Sequence, residues 1–125
     1  MVAGSIMVHR ALEAAEVLAA EGIEAEVIDL RSIRPIDSCT LIDSVKRTTG
    51  LVCVYEGVKT LGLGAEISAL IAESEAFDYL DAPIVRLGGT DNPIPYNPKL
   101  EKTSVPQVEN LVKAVRKSAR GRVSF

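Results

Sequence analysis

Gly62-Leu63-Gly64-Ala65-Glu66-Ile67 carries the strongest chemical suggestion in the chain. It follows an apolar, strand-like run and opens a helical pattern, as a G-x-G-x-x-G phosphate-binding turn does. Ile67 stands where the third glycine belongs, and the loop after Tyr55 is longer than that motif's tight turn. The two glycines instead predict a helix start that approaches a neighbouring backbone closely. The helix N-terminus would still attract an anion. His9, the sole histidine, lies at a helix start beside Arg10. A catalytic base needs an orienting partner and a nucleophile or substrate within reach, so His9 reads as a surface residue. Asp29 and Glu56 stand near the carboxyl ends of strand-like runs, the edge where open parallel sheets bind ligands. Polar residues are equally ordinary where a strand enters a loop. Asp81 precedes Ala82-Pro83 and reads as a turn residue accepting backbone hydrogen bonds. Tyr96, in a proline-rich stretch, is either a contact residue or a side chain packing its loop onto the body. Cys39 and Cys53 have no CxxC neighbour, which argues against a Cys/His metal site. Cys53, within an apolar run, reads as a small buried hydrophobe. These residues supply no nucleophile with a base, no metal cluster and no phosphate loop.

The elements that must position them alternate between helix and strand. Met7 to Glu21 has a helical period with Val8, Leu12, Ala15, Leu18 and Ala19 on the apolar side. Gly22 stands at its C-cap. Ala25 to Leu30 reads as a strand, and Asp37 as the N-cap of a helix running to about Lys46, with Ile36 and Leu41 as a hydrophobic staple. Leu51 to Tyr55 is apolar enough for a strand buried on both faces. A helix from about Gly64 to Ser74 turns Ile67, Leu70 and Ile71 inward. Ile84 to Leu87 forms a further strand closed by Gly88-Gly89, and Thr90 to Thr103 reads as an ordered loop. Ser104 and Gln107 have capping-box spacing before a last helix whose inner face is Val108, Leu111, Val112 and Val115. Alternating strands and helices predict a mostly parallel sheet with helices on both faces. Met1 to Gly4 is only a stub of a first strand, so the sheet reads as truncated upstream.

The chain's 125 residues fit one domain. We divide it into residues 1–119 and a tail, 120–125. Its net charge of −3 gives no global attraction to nucleic acid or to an anionic membrane. Lys113, Arg116, Lys117, Arg120 and Arg122 cluster at one end, read as a solvated helix C-terminus in preference to a partner-binding patch. No apolar run approaches the ~20 residues of a membrane span, and no signal peptide is visible.

Taken in order, MVHRALEAAEVLAAEGIEAEVIDLRSIRPID, VYEG, GLGAEISALI, FDYLDAPIVRLGG and PIPYNPKLE with VPQ downstream resemble one family. It is the C-terminal domain of the β subunit of thiamine-diphosphate-dependent 2-oxoacid dehydrogenases, of the pyruvate and acetoin type. The likeness runs to about Arg116. It implies a three-layer helix-sheet-helix α/β fold like the C-terminal domain of transketolase. It also implies that thiamine diphosphate and Mg belong to the complete enzyme and not to this piece, which should be inactive alone. The complete α2β2 assembly would decarboxylate a 2-oxoacid, with pyruvate the leading choice, and pass the acyl group to lipoyl on a dihydrolipoyl acyltransferase. This domain would join the α subunit and a second β subunit. It would also dock the acyltransferase's peripheral subunit-binding domain, and the aspartate of the family's LDAP segment is Asp81 here. Gly62, Gly64, Ala65, Glu66 and Ile67 would lie at a subunit contact. The family's compartment is the cytoplasm in bacteria and the mitochondrial matrix in eukaryotes. Gly57-Val58-Lys59-Thr60 departs from the pyruvate-type pattern after VYEG, so the oxoacid stays open. The alternatives are the equivalent domain of a transketolase or deoxyxylulose-phosphate synthase, and a non-enzymatic doubly wound binding module.

Overall fold

The computed structural model describes residues 1–120; the expected tail beyond Arg120, with Arg122, lies outside the described residues. Strand β1 (Val2–Ala3) leads into helix α1 (Ile6–Ala20), then β2 (Ile28–Asp29), α2 (Ser38–Thr48) and β3 (Val52–Val58). Helix α3 (Leu63–Ala72), a 3-10 turn (Glu75–Tyr79), β4 (Val85–Gly89), α4 (Pro98–Ser104) and α5 (Val108–Arg120) complete it. The strands form one sheet in the order β2-β1-β3-β4, and every neighbouring pair is parallel.

Alternation along β3 divides the interior. Cys53 and Tyr55 face a core with Leu41, Val45, Ile67 and Ile71, beneath α2 and α3. Val52 and Val54 face another with Met7, Leu18, Leu111 and Val112, beneath α1 and α5. The five residues Leu51 to Tyr55 are all buried, as a strand covered on both faces requires. Each large apolar side chain so enclosed contributes roughly 1.5–3 kcal/mol. This is the three-layer α/β arrangement the sequence implied.

Several local readings hold. Gly22, at φ +81°, terminates α1 in a Schellman motif: its N–H donates to Ala19 and that of Ile23 donates to Leu18. The Asp37 carboxylate caps α2, accepting from the Thr40 N–H at 3.0 Å, and Ile36 and Leu41 meet in the same core. Others need correction. The inner stripe of α1 is Met7, Ala11, Ala14 and Leu18, while Leu12 is 48% exposed. Small alanines let the helix lie close to the sheet, and this narrows the covered face. The expected strand Ala25 to Leu30 shrinks to two residues because its partner β1 has only two. Gly88 and Gly89 are the last two residues of β4 itself, which starts at Val85, and not a turn that follows it. The expected loop from Thr90 to Thr103 contains α4, started by Asn97, whose side chain accepts from the Lys99 N–H, with Pro98 behind it. The capping box fails as well. Ser104 ends α4 and donates back to Leu100, while Gln107 donates to Lys102 and Val105.

Candidate functional site

The glycine segment sits at the carboxyl end of β3, against Tyr55. A methyl group on Gly62 would lie 2.7 Å from Tyr55 Cε2 and would also collide with the Val58 carbonyl. One on Gly64 would overlap the same ring, at 3.0 Å from Cζ and the hydroxyl, and one on Gly88 would lie 2.9 Å from Cε2. The close approach expected of both glycines is therefore to backbone at Gly62 alone; at Gly64 the neighbour is the tyrosine ring. The ring fills the space in which a phosphate would have to lie, so these glycines do not form a diphosphate cradle. Ile67 points into the core and Gly64 is buried. The segment presents half-buried Ala65 and exposed Glu66 outward, next to Leu61, which is 97% exposed at φ +55°.

Asp81 lies at the opposite, amino end of the sheet. Its N–H donates to Thr49, the residue before Gly50 at the entry to β3, at 2.9 Å. Its side chain is exposed and forms no ion pair among the described residues. The preceding 3-10 turn leaves Phe77 and Tyr79 half exposed, while Leu80 packs on the core. Lys46 stands over the Tyr79 ring at 5.5 Å and bonds Glu75 at 2.9 Å, which raises the Lys46 pKa. Two aromatic rings and a free carboxylate within five residues form a surface suited to a partner with apolar and basic groups. The sequence signal for the rings was their place in FDYLDAP, outside any helical stripe.

The remaining candidates stay apart. Asp29 pairs with Arg31 at 2.9 Å. Glu56 is exposed within β3, and His9 is exposed on α1. Tyr96 is fully exposed, so it does not pack its loop onto the body. The Asp91 carboxylate accepts from the Thr60 hydroxyl at 2.6 Å, a hydrogen bond that lowers its pKa and ties the two loops together. Cys39 is exposed and Cys53 buried, with burial pushing the Cys53 thiol up to about 12. No group of three potential metal-binding side chains converges among the described residues. The glycine turn, filled by the Tyr55 ring, does not fit the diphosphate of thiamine diphosphate. No described helix is long and apolar enough to cross a membrane.

The sequence profile of the transketolase C-terminal domain matches residues 1–111. The chain is 54% identical over 113 residues to the pyruvate dehydrogenase E1 component subunit beta, mitochondrial, of Dictyostelium discoideum, covering 90% of this chain and 32% of the relative. The mitochondrial subunit beta of Bos taurus is 52% identical over 118 residues, with 94% and 33% covered. The subunit beta of Rickettsia felis is 49% identical over 113 residues, with 90% and 34% covered. The chain thus spans about a third of the length of these relatives. Among solved structures, one titled "Split gene transketolase, inactive beta4 tetramer" superimposes with a TM-score of 0.80 at 32% identity, over 97% of this chain and 38% of that one.

Proposed function

We propose that this chain, which belongs to the transketolase C-terminal domain family, is the assembly and docking domain of a pyruvate-type 2-oxoacid dehydrogenase β subunit. The observation that carries this reading is about 50% identity to pyruvate dehydrogenase β subunits over nine-tenths of the chain. The transketolase alternative has support from a structure at 32% identity and ranks below it. In this reading thiamine diphosphate, Mg and the decarboxylation belong to the complete α2β2 enzyme. The compartment is the mitochondrial matrix if the source is eukaryotic, and the cytoplasm if bacterial.

Two faces serve the role. Ala65 and Glu66, with Leu61 beside them, meet a neighbouring subunit at the carboxyl end of the sheet, and Gly62, Gly64 and Ile67 hold that helix start against Tyr55. Asp81 at the amino end receives a basic group of the acyltransferase's peripheral subunit-binding domain. Titrating that domain into the chain by calorimetry tests the reading. Asp81→Ala should weaken binding by about 1–3 kcal/mol, and Asp78→Ala, on the 3-10 turn, should leave it unchanged. No heat of binding, or an affinity indifferent to Asp81, would refute the docking role.

A further inference from the structure

Among the described residues, strand β4 is the last in the sheet and pairs on one side only. Its parallel register with β3 fixes which backbone groups are free. The Val85 N–H donates to Leu51, and alternation sends the groups of Leu87 the same way. Those of Arg86 and Gly88 therefore point outward. Past Gly89 the edge is closed, because the Thr90 N–H donates to Ser104 at the end of α4. Among the described residues, an open stretch of edge remains from Ile84 to Gly88.

A cavity of about 480 Å³ lies along it. Ile84, Arg86 and Lys59 line it from the α3 side of the sheet, and Val85, Lys117 and Ser118 from the α5 side. A cavity walled from both faces of a sheet must cross its edge. Its charged lining residues are all cations: Lys59, Arg86 and Lys117. The Arg86 guanidinium donates to the Lys59 carbonyl at 3.3 Å, so two of the three stand together on one side, while Lys117 projects from α5 on the other.

We infer that this edge receives an extended acidic segment of a partner protein, which adds to β4 as a fifth strand. Free N–H and C=O groups supply the main-chain bonds, and the cations on the two faces receive carboxylates from successive positions of the incoming strand, which point to opposite faces. A second copy of this chain is a poor occupant. Edge-to-edge pairing of two β4 strands would bring cation-lined cavities together, and like charges opposite each other destabilise such a pair. A single small anion would leave the outward backbone groups unused. The segment is distinct from the basic partner proposed for Asp81, because its charge is the opposite.

The probe is a fluorescein-labelled peptide of glutamate pairs alternating with valine pairs, which offers carboxylates to both faces, about ten residues long to exceed a typical strand. It is titrated with the full chain at low ionic strength and followed by anisotropy. Saturable binding is expected, weakened about tenfold or more by Lys117→Glu and by Lys59→Glu, with circular dichroism showing both variants folded. Methylating alternate backbone nitrogens of the peptide should abolish binding. No saturation overturns the inference. So does binding that survives backbone methylation, or that inorganic phosphate displaces as well as unlabelled peptide does, since either marks a simple anion site. A dimer of the chain in sedimentation equilibrium that blocks the peptide would assign the edge to a second copy.

Discussion

Gly64→Ala should destabilise the protein, although alanine is the better helix former. Position 64 lies in the first turn of α3, where the exchange gains at most about 1 kcal/mol of backbone propensity. The added methyl overlaps the Tyr55 ring, which is 7% exposed and cannot retreat. On its other side Cε2 already lies against Gly62 and Gly88, where the absence of side chains is what makes room for it. Overpacking of this kind costs roughly 1–3 kcal/mol. The net loss should be about 1–2 kcal/mol, measured by urea unfolding followed by circular dichroism with an unchanged denaturant slope. In a Tyr55→Leu background the obstacle is gone, and Gly64→Ala should become neutral or stabilising. The double-mutant cycle should therefore show a coupling of about 1–3 kcal/mol. Equal effects of Gly64→Ala in the two backgrounds would refute the idea that the glycines exist to seat this ring.

Other expectations are simpler to check. Asp37→Ala removes the carboxylate that bonds the Thr40 N–H and hydroxyl, and urea unfolding should show a loss of about 1 kcal/mol. A disulfide-exchange reagent at neutral pH should titrate Cys39 alone in the folded chain and both thiols in urea, since Cys53 is buried with its pKa pushed up to about 12. The same shift has a defined sign. Above the ordinary thiol value of 9.0, the unfolded chain releases a proton that the folded chain keeps until about 12. Stability should therefore fall as pH rises through that window, and Cys53→Ala should flatten the slope.

The alternation of strands and helices was legible because Leu51 to Tyr55 is a continuous apolar run and the α5 stripe carries a helical period, and because Asp37 and Gly22 mark helix ends by side-chain and backbone chemistry that acts locally. Strand lengths were not legible. They depend on a partner: β2 is short because β1 is, and β4 extends into Gly88-Gly89 because only glycine fits beside Tyr55 and the Glu56 carbonyl. Helix α4 had its signal in Asn97-Pro98, which Pro93 and Pro95 just before it obscured. On the site side, Asp81 rested on family likeness, since its spacing alone marked a turn. The cations of the β4 edge were invisible in sequence. Lys59, Arg86 and Lys117 lie far apart along the chain, and only the strand order makes them neighbours.

The core beneath α1 and α5 joins residues from opposite ends of the described chain. Arg10 donates to the Pro106 carbonyl across 96 positions, and Arg116 bonds Glu21 across 95. During synthesis Met7 and Leu18 must wait for Leu111 and Val112 before their shelter arrives, whereas the α2–α3 side can close earlier. Fastening of this kind makes the two terminal helices release together: amide exchange in α1 and α5 should report a single opening event, separable from that of α2 and α3.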